Sequence, residues 1–400
     1  MPWTDSWRRA VPAFVFKVEP YASYLRDGIR RWARRTPADA DAVIDWWESL
    51  KLQVYHLAMK LVRIHRAKFL RTLRQQQRVL ATALKQARAS STVMDWDAYI
   101  QARQKFHMVQ QQYLDQESWH NRYTWIHMGE RPSKRMSAVL RGNRRSQAVI
   151  WGLQDPDNGE VLTDHKDMER IITNFYSDLY SEHDLDETAQ QKILSASHRR
   201  LDSDQVAAMA QAVTFEELEC AVRKMACGKV PGSDGLPAEL YKVFWPEIGP
   251  SFHRVVQACS QLDVVPASWE TAVVSLLFKK GARTDIKNYR PISLLNTDYK
   301  VLANALAARM AQVMPRLLHP DQTAFVPGRR IQCNILKLYI AQSFARRCDS
   351  SLLLMNCDMY KAYDSHYDAG FSWRCSGLAF LHTSQVGSHV YIETHLQQCC

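Results

Sequence analysis

Four hundred residues allow two or three domains with a sizeable core. A composition 46% hydrophobic and 10% aromatic excludes a disordered chain, and a net charge of +11 directs attention to polyanions, nucleic acid first. Nine cysteines without any C-x-x-C spacing speak against zinc knuckles and a disulfide framework, and no apolar run is long enough to span a bilayer. The start, Met1 to Arg9, has no apolar signal core, so the expectation is an intracellular, reduced protein with no membrane contact, nucleus and cytoplasm both open.

Residues 1–36 show no clear periodicity and read as an irregular segment. Residues 37–140 read as a basic helical hairpin and linker. Between Lys51 and Ala89 there is no Asp or Glu; Leu70, Leu73, Leu80 and Leu84 form one stripe, and Arg71, Arg74, Arg78, Lys85 and Arg88 another. Ser90-Ser91-Thr92 breaks the run, and Asp95 or Asp97 is placed to cap a second helix through Tyr99, Phe106, Val109 and Tyr113. Two long helices and a short turn predict an antiparallel pair. The basic face is either solvated or laid against something anionic; without compensating acids, self-repulsion favours a nucleic-acid contact.

Residues 141–205 predict a small α/β connector. Asp157-Asn158-Gly159 signals a hairpin between short strands. An amphipathic helix follows from Asp164 to Tyr180, then a polar linker. A new unit covers 206–364. Thr214 with Glu217 has the pattern of a capping box, and its helix ends near Met225. Gly228-Lys229-Val230-Pro231-Gly232-Ser233-Asp234-Gly235 is a loop whose glycines suit either close backbone approach to a phosphodiester chain or a plain connector. Residues 238–262 return to helix. Ala272 to Phe278 is an apolar strand, Lys279 to Tyr289 a basic turn, and Arg290 to Leu295 a second extended piece, so that Lys279, Lys280 and Arg290 offer cations for a phosphate-bearing ligand. Asp298 opens a helix, and another runs from about Cys333 to Arg346. Finally an apolar run from Ser351 delivers Asp358 at its carboxyl end, five residues before Tyr363.

Four segments in this order resemble the reverse transcriptase of LINE-type (non-LTR) retrotransposons: Gly228-Lys229-x-Pro231-Gly232-x-Asp234-Gly235, Asn288 to Leu294, Gln322-x-x-Phe325-Val326-x-Gly328-Arg329, and Asp358-x-x-Lys361-Ala362-Tyr363-Asp364. Gly129-Glu130-Arg131 and Phe175-Tyr176-x-x-Leu179-Tyr180 are similar to the linker of that family. The resemblance implies an α+β fold: a helical basic extension, then the fingers and the start of the palm of a right-hand polymerase. It implies RNA template, DNA primer and dNTP as partners, and Mg2+ as cofactor. Asp358 would be a catalytic metal ligand and Tyr363 would lie under the sugar. Arg290 and one of Lys279 and Lys280 would meet the triphosphate. Arg329 would meet template or nucleotide, and Gly228, Lys229, Gly232 and Gly235 would lie beside the template.

This chain also departs from the family. Ala324, Ser233 and Tyr360 replace residues common there, and after Ser365 the continuation is atypical through residue 400. There is no Asp-Asp pair anywhere and no Gly-x-Pro-Gln-Gly segment. The expectation is a reverse transcriptase truncated within the palm and inactive alone, since one carboxylate does not hold a metal pair. Two alternatives stand beside it: a catalytically silent RNA- or DNA-binding remnant, and a helical interaction protein.

Overall fold

The computed structural model describes residues 10–90, 92–126, 150–181, 188, 192, 199–349, 352–353 and 390–393; for 112–126 and 390–393 only the backbone is described. Asp358, Tyr363 and the Gly129-Glu130-Arg131 segment lie outside the described residues.

The segment expected to be irregular is helical where described: α1 spans Phe14–Lys17 and α2 Tyr21–Ala33. Leu25 and Ile29, one turn apart, are fully buried, and tertiary burial overrides a weak local signal. The expected hairpin is present as α3 (Ala40–Ser90) and α4 (Val93–Ile126). At its turn the cap is Thr92, whose hydroxyl accepts from the Asp95 N–H at 3.3 Å, while the Asp95 carboxylate accepts from the Ser90 and Thr92 hydroxyls.

Beyond the turn come the antiparallel strands β1 (Leu153–Gln154) and β2 (Val161–Leu162), with Gly159 at φ 75° between them. Helix α5 (His165–Leu179) is capped by Asp164, and α6 spans Ser203–Ala210. Thr214 and Glu217 form the expected capping box at the start of α7 (Phe215–Lys224). Helix α8 covers Ala238–Leu262 despite Pro246 and Pro250, with non-helical backbone at Phe244.

Strands β3 (Ala272–Phe278) and β4 (Tyr289–Leu294) pair antiparallel, followed by α9 (Thr297–Leu317) and α10 (Ile331–Arg347). A last strand, β5 (Val390–Glu393), pairs parallel with β3, giving the order β4-β3-β5. The span 365–400, expected as an atypical tail, thus contributes a strand to this sheet. No residue of α10 is buried; Ile331, Leu336, Tyr339 and Phe344 are all exposed.

Two cores organise these elements. The larger joins α1, α2 and the first half of α3 to α7, α8 and the start of α9, around Trp47, Phe244, Phe252 and Val301. The smaller packs β1 and α5, through Leu153, Ile171, Ile172 and Tyr176, against Ile286, Tyr289, Leu276 and Phe278. The connector thus buries one face of the β3-β4 pair and leaves the other to form a site.

Candidate nucleotide and template site

Alternation along paired strands decides which side chains share a face. Leu276 and Phe278, with Tyr289 across from Phe278, face the connector core. The opposite face carries Val273, Ser275 and Leu277 of β3, paired with Leu294, Ile292 and Arg290 of β4. Arg290 is exposed, while Tyr289 beside it is buried, as alternation requires. The Lys279 N–H donates to the Asn288 carbonyl at 2.9 Å, so the ladder runs one rung past β3. That rung carries Lys279 to the Arg290 face and turns Lys280 away. Both lysines are exposed.

The turn between the strands is held in shape. Asn288 donates through Nδ2 to the Ala282 carbonyl at 2.9 Å, the Tyr289 hydroxyl to the Arg283 carbonyl at 2.7 Å, and the Arg283 guanidinium lies 4.4 Å over the Phe278 ring. Cations on a rigid turn lose less freedom on gripping a phosphate than cations on a loose one.

A cavity of about 360 Å³ opens on the Arg290 face. Ser275, Ile292 and Leu294 form its strand wall, Lys229 and Val230 come from the glycine loop, and Lys300 comes from α9. Among the described residues no acidic side chain lines it. Burial pushes the Lys300 ammonium below its ordinary value, with the Asp234 carboxyl opposing. The Ser275–Ile292 pair belongs to the wall, and the Leu277–Arg290 pair is the next on that face, about 7 Å along. Lys300 was not singled out from the sequence; its only signal there is a cation inside a helix beside the apolar Val301 and Leu302.

The glycine loop divides in two. Gly228, at φ 72°, has nothing within 4 Å of where a Cβ would stand, and its N–H donates to Glu239 Oε1 at 2.6 Å. Lys229 beside it is exposed at the cavity. From Pro231 the loop is largely buried. A Cβ on Gly232 would lie 2.2 Å from Asn296 Oδ1 and 2.5 Å from the Asn296 nitrogen, so the absent side chain is used by the protein's own turn. Gly232→Ala is expected to destabilise the fold by about 1–3 kcal/mol, read as a lowered thermal midpoint. Gly235, at φ 72°, accepts from the Val11 N–H through its carbonyl at 2.9 Å.

Arg329 is not grouped with Arg290. Its guanidinium donates to the carbonyls of Pro315 (2.7 Å), Leu318 (3.2 Å), His319 (2.5 Å) and Gln322 (2.9 Å), which ties the turn after α9 to the start of α10. These contacts make it a positioning residue for that turn. The described residues from Arg71 to Arg88 sit far along α3, on neither wall of the cavity. Among the described residues no group of three His, Cys, Asp or Glu side chains converges as a metal site.

Residues 278–366 match the family described as reverse transcriptase (RNA-dependent DNA polymerase), whose span includes Lys279, Lys280, Arg290, Arg329, Asp358 and Tyr363. Over 228 residues, 56% of this chain, it is 36% identical to the "Transposon TX1 uncharacterized 149 kDa protein" of Xenopus laevis, covering 17% of that protein. Over 140 residues, 32% of the chain, it is 29% identical to the "Retrovirus-related Pol polyprotein from type-1 retrotransposable element R1" of Bradysia coprophila, covering 14% of it. A third relative, the corresponding R2 polyprotein of Popillia japonica, is 26% identical over 156 residues, 38% of this chain and 20% of its own length. The matched segment and these relatives support a reverse transcriptase of the LINE-type (non-LTR) retrotransposon kind. It spans about a fifth or less of the length of these relatives. Among the described residues no helix is long and apolar enough to cross a membrane.

Proposed function

We propose that this chain supplies the nucleotide- and template-gripping fingers of an RNA-directed DNA polymerase that copies an RNA template from a DNA primer. One observation carries the reading: the β3-β4 register aligns Arg290 with the wall of a cavity whose described lining bears Lys229 and Lys300 and no acid. Arg290 and Lys279 grip the triphosphate of the incoming dNTP. Charge on the transferring oxygens rises toward the transition state, and a guanidinium and an ammonium held on a stiff turn meet it without reorganising. Gly228, Lys229, Gly232 and Gly235 form the loop beside the template, with Gly228 and Lys229 on its open side and Gly232 and Gly235 seating it.

Asp358 is the proposed catalytic carboxylate and metal ligand, and Tyr363 the residue beneath the sugar. A divalent metal bound there would stabilise the attacking and leaving oxygens. No Asp-Asp pair occurs in these 400 residues to complete the site. The chain by itself is therefore proposed to bind nucleic acid and nucleotide without extending a primer. Primer extension by the full chain that disappears in Asp358→Ala would overturn that part alone.

The grip is tested by titrating the full chain with a dNTP. Arg290→Ala and Lys279→Ala are each expected to weaken binding about 10-fold to 100-fold, the loss of a charge-assisted hydrogen bond. Lys280→Ala is expected to change it less than about 2-fold. Equal losses at the two lysines, or no loss at Arg290, would remove the assignment.

A further inference from the structure

The outer half of α3 carries a charged surface that the nucleotide site does not use. The helix leaves the body at His65, whose ring meets Phe14 and Tyr21 at centroid distances of 4.7 and 5.5 Å. No later residue of α3 joins the main core, and Arg66 to Ser90 continue for about 37 Å at 1.5 Å per residue. Val62, Phe69, Leu73, Leu80 and Ala87 are buried or half-buried at steps of seven and four. On α4, Tyr99, Ala102, Phe106 and Val109 follow at steps of three and four, which fit the same seven-residue repeat. A 3.5-residue repeat on both helices is the seam of a two-helix coiled coil, so the projection is stiff.

Away from that seam, Lys60, Arg63, Arg71, Arg74, Arg78, Lys85 and Arg88 fall within an arc of about 100° at 3.6 residues per turn. All seven are exposed. The stripe is about 42 Å long. Among the described residues none of the seven side chains has a hydrogen bond or an ion pair. Asp95 and Asp97, at the far turn, are the only acids between Lys60 and Gln111. Like charges three and four residues apart oppose the helix that carries them, so this arrangement costs stability when nothing anionic faces it.

We propose that this stripe is a docking surface for the sugar-phosphate backbone of a nucleic-acid duplex lying along the hairpin. A straight row of cations about 42 Å long matches roughly 12 base pairs at 3.4 Å each. It is longer than the few residues by which a helix reads base edges in a groove, so the contact is with phosphates. Single strands are gripped by stacking on exposed rings, and the stripe has none: Phe69, the one Phe, Tyr or Trp between Lys60 and Arg88, lies on the seam. The proposal goes beyond the nucleotide-binding reading and does not rest on Arg290.

The test is fluorescence anisotropy of a labelled DNA duplex of about 20 base pairs, and of its single strand, with the full chain across a salt series. The wild-type chain is expected to prefer the duplex. The triple variant Arg71→Gln, Arg74→Gln, Arg78→Gln is expected to flatten the slope of log K against log salt by about 2.7 and to weaken binding on the order of 100-fold at about 0.15 M salt. If its helix signal in circular dichroism is lower than wild type, Lys85→Gln with Arg88→Gln replaces it, with an expected slope change of about 1.8. Wild-type duplex binding by the folded variant, or tighter binding of the single strand, would overturn the proposal. The triple variant titrated with a dNTP separates the two readings, since its dNTP affinity is expected to stay within about 2-fold of wild type.

Discussion

Asp298→Ala is expected to destabilise the protein by about 3–5 kcal/mol, the cost of leaving a buried charge without its partner. Asp298 is fully buried, and its carboxylate accepts from Lys51 Nζ at 3.0 Å and from the Trp47 indole N–H at 2.9 Å. Lys51 is itself buried, lies 3.1 Å from Glu48, and also donates to the Ser268 hydroxyl. Burial alone would push the Asp298 carboxyl up; the Lys51 ammonium and the donated hydrogen bonds outweigh it and hold the carboxyl below its ordinary value. Removing the acid leaves an ammonium and an indole N–H in the core with too few partners. Replacing both charges, as Lys51→Met with Asp298→Leu, is expected to cost much less than the sum of the single changes, because no lone charge remains. Urea unfolding of the four proteins of that cycle measures the difference; additive losses would show that the two residues act separately.

The second large effect is a pH dependence centred on Asp234. Its Oδ1 accepts from the Leu236 N–H at 2.9 Å, whereas its Oδ2 is buried without a hydrogen-bond partner. Burial, reinforced by the Asp298 charge and opposed by Lys51, raises this carboxyl from 3.8 to about 7. The unfolded group ionises above about pH 4, while the folded one keeps its proton until about pH 7. In that window the folded state binds more protons, so stability falls as pH rises and levels off above it. The total is about 4 kcal/mol. Asp298, shifted the other way, adds stability that is lost only as pH falls below the ordinary carboxylate value, outside that window. Asp234→Asn is expected to flatten the fall between pH 4 and 7 and to stabilise the protein at pH 8 by about 2 kcal/mol or more. Parallel pH profiles for the variant and the parent would show that Asp234 ionises normally.

Both effects concern function because of where the cluster lies. Asn296 accepts from the Asp234 N–H at 3.2 Å and donates to the Ser268 carbonyl at 3.0 Å. The Thr297 hydroxyl donates to the Leu236 carbonyl at 2.6 Å, and Ser268 donates to Glu48 at 2.6 Å. These bonds fasten the glycine loop to the start of α9, and both to α3. Thr297 of this lock and Lys300, one turn further along α9, line the cavity. The basic hairpin and the cationic cleft are therefore joined at one buried junction.

Local physics made the elements readable before any fold was known. Thr214 with Glu217 announces a helix start, Asp157-Asn158-Gly159 a hairpin, and Ala272 to Phe278 a strand, because capping, turn chemistry and β-branched runs act within a few residues. The order of four motifs pointed to the polymerase family in the same way. Contacts between distant positions were not readable. Lys51, which the sequence places in an acid-free run, is an ion-paired core residue, and Asp298 bonds to Trp47 across 251 positions. Gly232 is required by Asn296, and the donors of Arg329 meet backbone carbonyls. Only the register of β3 on β4 distinguishes the face of Lys279 from that of Lys280. Composition and short-range order are written residue by residue; the partner of a buried charge and the outward side of a strand depend on what the rest of the chain packs against them.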